Sequence, residues 1–452
     1  MGRGRLPMTD IIGPNDLHNY FDAKVAAVQA ATVDAPPPSF TPAVPGFEFS
    51  QFRLVTTGDV ITAVRALPDK QCSSDALTTR LLKENVDVLA PFFVELFNKS
   101  LSTGTVPALF KAVFITPRLK KANMDPADVK SYRPISNLSV TSKLLERLVA
   151  KQLVDYLTSS GLLPALQSAY RAHHSTETAV TKVLSDILKA IDAGDLALLT
   201  LLDLSAAFDT VDHATLLQRL KVTYSLSGAV LRWFSSYLNG RKQYVRCGAA
   251  RSESKLIKCG VPQGSVLGPI LFLLYTADLL RLIERHQVHP HLYADDTQIY
   301  GTCAPSATLQ LQDRMSTCVD DVAQWMRSNR LQLNTAKTEV LWCSSSRRQH
   351  QIPHSSMRVG ADAVDPSSFV RDLGIYIDAD VSMRTHIAKT VSGYFGILRQ
   401  LRSIRRSVSQ PVMQSLVVAL VRTAWTTATQ RSQDFRVKHS TNYSQCSMPP
   451  LD

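Results

Sequence analysis

Apolar residues along the chain follow both helical and strand spacing, so the pattern predicts a mixed α+β protein. Apolar positions three and four residues apart predict a helical lead-in over residues 49–110 and helices at 143–158, 176–193, 205–220, 227–238, 270–283 and from 306 onward. Short apolar and β-branched runs predict strands at 113–121, 131–138, 340–342 and 373–377, and a strand pair containing 244–245 and 256–257. The proline-rich residues 1–48 predict an extended connector instead.

Two stretches of this pattern carry carboxylates at places where strands end. Residues 196–203, LALLTLLD, are continuously apolar and stop at Asp203, which is typical of a strand buried on both faces. Residues 291–300, HLYADDTQIY, predict a β-hairpin with Asp295 and Asp296 at its turn. If the two strands are neighbours in one sheet, all three carboxylates meet at the same end of that sheet.

Carboxylates brought so close together repel one another and need a compensating cation. A hard divalent ion bound by oxygen atoms meets that need. We therefore expect Asp203, Asp295 and Asp296 to hold two Mg²⁺ ions about 4 Å apart, an arrangement that stabilises the attacking and leaving oxygens of a phosphoryl transfer. The alternatives are local: an Asp-Asp pair can simply bond its own turn, and Asp203 can cap a helix.

The overall composition favours a folded protein with a polyanionic partner. Of the 452 residues 45% are hydrophobic, and 50 Lys and Arg against 38 Asp and Glu leave a formal charge of +12. Seven scattered cysteines without a C-x-x-C pair indicate neither a disulfide framework nor a zinc site. Because the apolar runs are too short for a membrane span, we expect a soluble intracellular protein, in the nucleus or the cytoplasm.

Six ordered motifs resemble those of reverse transcriptases, with the greatest similarity to the jockey-like branch of non-LTR, LINE-type retrotransposons. In chain order they are KSYRPISNLSVTSKLLER (130–147), QSAYRAHHSTETAV (167–180), LLDLSAAFDTVDH (201–213), CGVPQGSVLGPILF (259–272), LYADDTQIY (292–300) and LQLNTAKTE (331–339). The resemblance implies a right-hand polymerase: fingers over 111–195, a palm of antiparallel sheet packed on helices over 196–380, and a partial, basic, helical thumb over 381–422. An irregular polar tail would follow at 423–452.

The resemblance also assigns roles to individual residues. Asp203 and Asp295 match the shared metal ligands, and Asp296 matches the third carboxylate of the family. Phe208 stands where the family has an aromatic gate against a ribose 2′-hydroxyl; ordinary core packing is the alternative. Gln263 and Gly264 match a loop under the incoming nucleotide, where glycine allows close backbone approach; a turn that begins a helix is the alternative.

Basic residues complete the implied polymerase site. Arg133 and Lys143 match triphosphate contacts from the fingers, because a guanidinium and an ammonium suit phosphate oxygens. Lys337 matches a lysine that donates a proton to the leaving pyrophosphate. For Lys143 and Lys337 a solvated surface position is the alternative.

Three functions are open at this point. The first is an RNA-directed DNA polymerase that uses an RNA template, a DNA primer or target, dNTPs and two Mg²⁺ ions. The second is a catalytically silent relic of a retrotransposon that still binds RNA through its basic surface. The third, RNA synthesis on an RNA template, is disfavoured by Phe208 and by the overall likeness of the motifs.

Overall fold

The computed structural model describes residues 12–43, 45–69, 77–121 and 124–422. The predicted polar tail at 423–452 lies outside them. The helices of this part are α1 (Pro14–Thr32), α2 (Thr57–Arg65), α3 (Thr79–Glu84), α4 (Val86–Thr103), α5 (Val140–Ser159), α6 (Thr176–Asp192), α7 (His213–Val222), α8 (Gly228–Leu238), α9 (Leu267–Thr276), α10 (Asp278–Glu284), α11 (Thr308–Ser328), α12 (Arg384–Ile404) and α13 (Gln410–Val417). Within the described ranges, none of them combines the length and apolar character that a membrane span requires.

Within the described residues, the strands form four sheets. They are β1 (Ala112–Leu119), β2 (Tyr132–Asn137), β3 (Leu196–Leu202), β4 (Lys242–Cys247), β5 (Ala250–Arg251), β6 (Lys255–Leu256), β7 (His289–Tyr293), β8 (Asp296–Cys303), β9 (Glu339–Cys343), β10 (Met357–Val359), β11 (Asp362–Val364), β12 (Phe369–Asp372) and β13 (Ile375–Asp378). The larger sheets have the orders β2-β1-β4-β5, with β6 also on β4, and β7-β8-β3-β9. The mixed α and β content agrees with the expected fold class.

The chain divides into two compact units. The first contains the described residues of Met1–Tyr170, Asp203–His286 and Thr317–Ala336, and the second contains those of Arg171–Leu202, Gln287–Ser316 and Lys337–Asp452. The assignment of fingers, palm and thumb to residues 111–195, 196–380 and 381–422 stays a prediction.

The second unit is built on the sheet β7-β8-β3-β9, in which all three pairings are antiparallel. The central strand β3 is apolar on both faces, as its sequence predicts. Helix α6 packs on this sheet, and its buried Val183 and Ile187 join Leu199 and Leu341 of the strands in one hydrophobic core. The hairpin of β12 and β13 completes that core with Val370 and two isoleucines.

The first unit contains the sheet β2-β1-β4-β5 and most of the helices. In this sheet β1 pairs antiparallel with β2 and parallel with β4. A buried arginine ties the helices together: Arg219 of α7 pairs with Asp278 at the start of α10 and donates to Asn329 Oδ1 at 2.7 Å. A buried guanidinium that is paired and hydrogen-bonded in this way avoids most of the cost of burying a charge.

The expectation of an extended connector over residues 1–48 is wrong for Pro14–Thr32, which form α1. Proline at the first helical position is compatible with a helix start. The helix buries Leu17, Phe21 and Val28, which lie on one face. Phe21 and Leu17 pack against Ile115 and Val245 of the sheet. Tertiary contact therefore determines this helix, while the prolines at 36–38 lie after its end.

The predicted helix over 205–220 is wrong for its first half. Helix α7 begins only at His213, where the Asp212 carboxylate caps it by accepting from Thr215 N at 2.7 Å. Before it, the carbonyls of Phe208 and Val211 accept from Val261 N at 2.8 Å and Gly260 N at 2.7 Å. A continuous helix needs those carbonyls for its own hydrogen bonds, so contact with the loop before α9 excludes it. The predicted helix 270–283 is divided in two at Ala277, between α9 and α10.

We predict that Leu199→Ala destabilises the second unit by about 2–5 kcal/mol, because the leucine is fully buried and its loss leaves a cavity. A urea unfolding curve followed by circular dichroism measures the change. Leu309→Ala is the matched control, since that leucine of α11 is 69% exposed. Equal unfolding midpoints for the two variants would contradict the position of Leu199 in the core.

Candidate functional site

The aspartate pair lies at the tight turn that closes the hairpin of β7 and β8. Tyr293 pairs with Asp296, so Ala294 and Asp295 are the two turn residues. Ala294 has φ +56°, in the left-handed region that two-residue hairpins require and that non-glycine residues seldom adopt. Asp295 is half-buried and Asp296 is exposed. The hairpin thus presents both carboxylates at the end of the sheet, as the sequence predicts.

Strand β3 ends beside this turn within the second unit. The pairing of β3 with β8 runs from Leu196 opposite Cys303 to Leu202 opposite Thr297. Thr297 is the residue that follows Asp296, and Leu202 is the residue that precedes Asp203. The two strands are neighbours, as the sequence analysis required for a shared acidic end.

A further carboxylate of this unit, Asp372 of β12, was not singled out from the sequence. Its Oδ1 accepts from Gln298 Nε2 of β8 at 2.6 Å. The pKa of Asp372 is raised to about 7, mainly by burial and in smaller part by the nearby Asp296 and Glu339, against the opposing effect of the Gln298 hydrogen bond. Its position directly before the predicted strand 373–377 was the available signal, but its contact with Gln298, 74 residues away, could not be seen in the sequence.

Asp203 belongs to the first unit and is half-buried. Asn334 donates two hydrogen bonds to Asp203. Its side-chain Nδ2 donates to Asp203 Oδ2 at 3.3 Å, and its backbone N donates to Asp203 O at 2.9 Å. An antiparallel bridge between Leu204 and Leu333 fixes the two chain segments side by side. Asn334 is a residue that the sequence analysis missed, although it lies three positions before Lys337 in a motif that was recognised.

Among the residues that the structure describes, no group of three or more His, Cys, Asp or Glu side chains is arranged to hold a metal ion. The donor chemistry at the hairpin nevertheless suits a hard cation, because the side chains there are the carboxylates of Asp295, which is half-buried, and Asp296, which is exposed. Like-charged carboxylates repel one another, so a cation is needed to draw them together.

The loop before α9 is anchored to two neighbouring segments through its backbone. Gly260 N and Val261 N donate to Val211 O and Phe208 O, and His213 Nε2 lies 2.8 Å from Gly260 O. A Cβ at position 260 would lie 2.7 Å from Asp209 O, so glycine is required there by the close approach of two backbones.

Gln263 and Gly264 lie in the part of this loop that faces β2. Ser136 N of β2 donates to Gln263 O at 2.8 Å. Gly264 has φ +116°, and a Cβ there would lie 2.5 Å from Ser136 O. Both features exclude other residues, so the role of Gly264 in close backbone approach has a structural basis here. The loop also leads into α9, as the alternative stated.

A buried glutamate caps the helix that follows. Glu146 Oε2 of α5 accepts from Val266 N at 2.7 Å and from Leu267 N at 3.1 Å, at the N-terminus of α9. Burial raises the pKa of Glu146 above its usual range, against the opposing effect of Arg241 and of these hydrogen bonds. From the sequence Glu146 is only one residue of the motif 130–147, because its hydrogen-bond partner Val266 lies 120 residues further along the chain.

Phe208 is half-buried and stacks on Phe272 of α9, with ring centroids 4.5 Å apart and an angle of 26° between the planes. This packing gives the core alternative a structural basis. The role of Phe208 as a gate against a ribose 2′-hydroxyl stays a prediction.

The predicted basic residues are divided between the two units. Arg133 is exposed on β2, opposite Arg118 of β1, and Lys143 is half-buried in the first turns of α5. Lys337 belongs to the second unit, where it is exposed in a short 3₁₀ turn before β9. The positions of all three suit contact with a solvated anion, and their roles stay predictions.

Most of the chain is similar to known proteins. Residues 119–370, more than half of its length, match the family described as "Reverse transcriptase (RNA-dependent DNA polymerase)". The chain is 30% identical over 354 residues to the "Probable RNA-directed DNA polymerase from transposon BS" of Drosophila melanogaster, covering 76% of this chain and 38% of that protein. It is 30% identical over 341 residues to the "RNA-directed DNA polymerase from mobile element jockey" of Drosophila funebris, covering 74% and 36%. The chain thus spans little more than a third of the length of these relatives.

We predict that Gly264→Ala opens the contact between the loop and β2, because the added methyl group would overlap Ser136 O. Amide exchange at Ser136, measured by hydrogen–deuterium exchange mass spectrometry, should become roughly tenfold faster or more. Gly393→Ala is the control, since no atom lies within 4 Å of a Cβ at that glycine of α12. Unchanged exchange at Ser136 in Gly264→Ala would contradict the close approach.

We predict that Glu146→Gln reduces the loss of stability with rising pH. A carboxyl group whose pKa is higher in the folded than in the unfolded protein binds its proton more tightly when folded, so it destabilises the fold as pH rises through that interval. Glutamine can still accept both backbone hydrogen bonds and never carries the charge. Urea midpoints from about pH 4 to about pH 8 measure the effect. Glu95→Gln, at an exposed position of α4, is the reference variant. The prediction is refuted if the urea midpoints of wild type and Glu146→Gln change with pH in the same way.

Proposed function

Because the chain belongs to the reverse transcriptase (RNA-dependent DNA polymerase) family, in its non-LTR, LINE-type branch, we propose that it extends a primer with dNTPs on an RNA template. The family implies a divalent metal cofactor and nucleic-acid and nucleotide substrates. We propose in addition that the metal ions are two Mg²⁺ ions and that the nucleic acid includes a DNA primer or target. The roles proposed for individual residues follow.

The observation that carries the proposal is the register of β3 with β8. Leu202 is paired with Thr297, and the next residue along one strand is Asp203 while the preceding residue on the other is Asp296. Continuity of the chain supports a common acidic end formed by Asp203, Asp295 and Asp296. These three carboxylates would hold the metal ions, which when bound stabilise the attacking and leaving oxygens of the phosphoryl transfer.

The remaining residues bind and orient the nucleotide in this proposal. The Arg133 guanidinium and the Lys143 ammonium contact the triphosphate, and Lys337 donates a proton to the departing pyrophosphate. Gln263 and Gly264 contact the nucleotide and its template base, and Phe208 crowds a ribose 2′-hydroxyl.

An exposed basic surface supports the choice of nucleic acid as the partner. Helix α12 and the residues directly after it carry six exposed basic side chains, Arg384, Lys389, Arg399, Arg402, Arg405 and Arg406. Asp380 is close to this set, and its Oδ2 lies 3.6 Å from an Nη of Arg384. Basic side chains arranged along a helix suit the regularly spaced phosphates of a nucleic acid strand.

The second candidate is a catalytically silent relic that binds RNA. The same basic surface supports it, because phosphate binding needs no carboxylates. The two candidates therefore differ at the hairpin turn and not on α12.

We predict that Asp295→Ala abolishes primer extension, with a loss of roughly a hundredfold or more in rate, because a metal ligand is removed. The assay uses a poly(rA) template, an oligo(dT) primer and either dTTP or UTP with Mg²⁺. Asp362→Ala is the matched control, since Asp362 is exposed in the hairpin of β10 and β11 of the same unit.

The outcomes separate the candidates. Incorporation of dTTP by wild type and by Asp362→Ala, but not by Asp295→Ala, supports the proposal. Binding of the template by wild type without extension supports the silent relic, and a preference for UTP supports RNA synthesis. Full activity of Asp295→Ala would show that the reaction does not need the Asp295 carboxylate, and would contradict the proposed metal site at the hairpin.

A further inference from the structure

Asp209 is a carboxylate of the first unit for which the proposed mechanism has no use. It ends the short 3₁₀ turn Ala207–Asp209, directly after Phe208. It lines a cavity of about 250 Å³. Helix α1, strands β1, β2, β4 and β6, and the segment before α9 form the other walls of that cavity. Burial raises the pKa of Asp209 to about 6, with a partial opposing effect of Lys24 on α1.

The Asp209 carboxylate contacts the side chain of a predicted nucleotide-binding residue. Gln263 Nε2 donates to Asp209 Oδ2 at 3.3 Å. The backbone of Asp209 is anchored separately: its N donates to Ala206 O at 2.9 Å, and its carbonyl lies 3.4 Å from Cys259 Sγ. The side-chain contact is thus distinct from the contacts that hold the main chain of the loop.

The chemistry of the pair determines which way the Gln263 amide faces. An ionised carboxylate only accepts hydrogen bonds, so it can bond the NH₂ end of the amide and never the oxygen end. A glutamine amide in contact with an uncharged donor-acceptor group has no such restriction. Asp209 therefore selects one of two amide orientations and leaves Oε1 and the second Nε2 hydrogen available to a ligand.

We propose that Asp209 is a positioning residue, which holds the Gln263 amide in the one orientation that binds the incoming nucleotide. The proposal rests on the proposed function, in which Gln263 contacts the dNTP. Because Phe208 and Asp209 are consecutive and the Phe208 carbonyl is bonded to Val261 N, one short segment supports both the aromatic ring and the amide.

Two substitutions separate orientation from simple packing. Asp209→Leu removes the acceptor and keeps a side chain branched at Cγ, and we expect the KM for dTTP in primer extension to rise about tenfold with a smaller change in kcat. Asp209→Asn can present either its oxygen or its NH₂ to Gln263, so an intermediate rise of KM is expected. Asp362→Asn is the matched control at an exposed position of the other unit, and circular dichroism reports whether each variant folds.

A double-mutant cycle with Gln263→Ala gives the decisive comparison. If Asp209 acts through Gln263, Asp209→Leu raises KM no further in the Gln263→Ala background. Independent, additive effects of the two substitutions, or an unchanged KM in Asp209→Leu, would overturn the inference.

A measurement without catalysis distinguishes this inference from the proposed function. In protein labelled with ¹⁵N at glutamine side chains, the Gln263 amide resonance, identified by its loss in Gln263→Ala, should shift in Asp209→Leu and Asp209→Asn. A resonance that does not respond refutes the contact even if the enzyme is active. A wild-type chain that binds template and primer but extends nothing refutes the proposed function, whatever the resonance does.

Discussion

The antiparallel pairing of β3 with β8 is the constraint on which the candidate site depends. Seven consecutive residues of β3, from Leu196 to Leu202, face partners from Cys303 to Thr297. Side chains alternate between the two faces of a strand, so a slip of one residue would turn every side chain of β8 to the opposite face. The core between this sheet and α6, which contains Leu199 and Tyr300, excludes that slip. The same pairing leaves the aspartate turn at the end of the sheet where β3 stops.

In the first unit, hydrogen bonds of the main chain fix the position of the loop before α9. The loop before α9 is bonded to the segment 208–213 on one side and to β2 on another, with Glu146 bonding its last residues. These contacts need glycine where two main chains meet, at Gly260 and Gly264. The Glu146 carboxylate is buried at this point, and burial of a carboxylate is unfavourable unless hydrogen bonds compensate for it. Accordingly, the pKa values of Glu146 and Asp209 are both raised.

The sequence predicted regular elements well where the apolar pattern was strong and local. Strand β3, the hairpin of β7 and β8, and helices α5 and α6 lie where their periodicity indicates. It failed for α1, because prolines after the helix suggested an extended chain, and for residues 205–212, because their carbonyls bond a loop some fifty residues away. In both cases a distant partner overrides the local preference.

The sequence by itself determined the family, the mixed α and β composition and the identity of the three candidate metal ligands, because motif order and strand periodicity are properties of the linear chain. Only the tertiary structure decided which side chains support them. Asn334 on Asp203, Glu146 on the N-terminus of α9 and Asp209 on Gln263 are contacts between residues far apart in sequence. A hydrogen bond of this kind depends on distances of about 3 Å between atoms, which no spacing along the chain encodes.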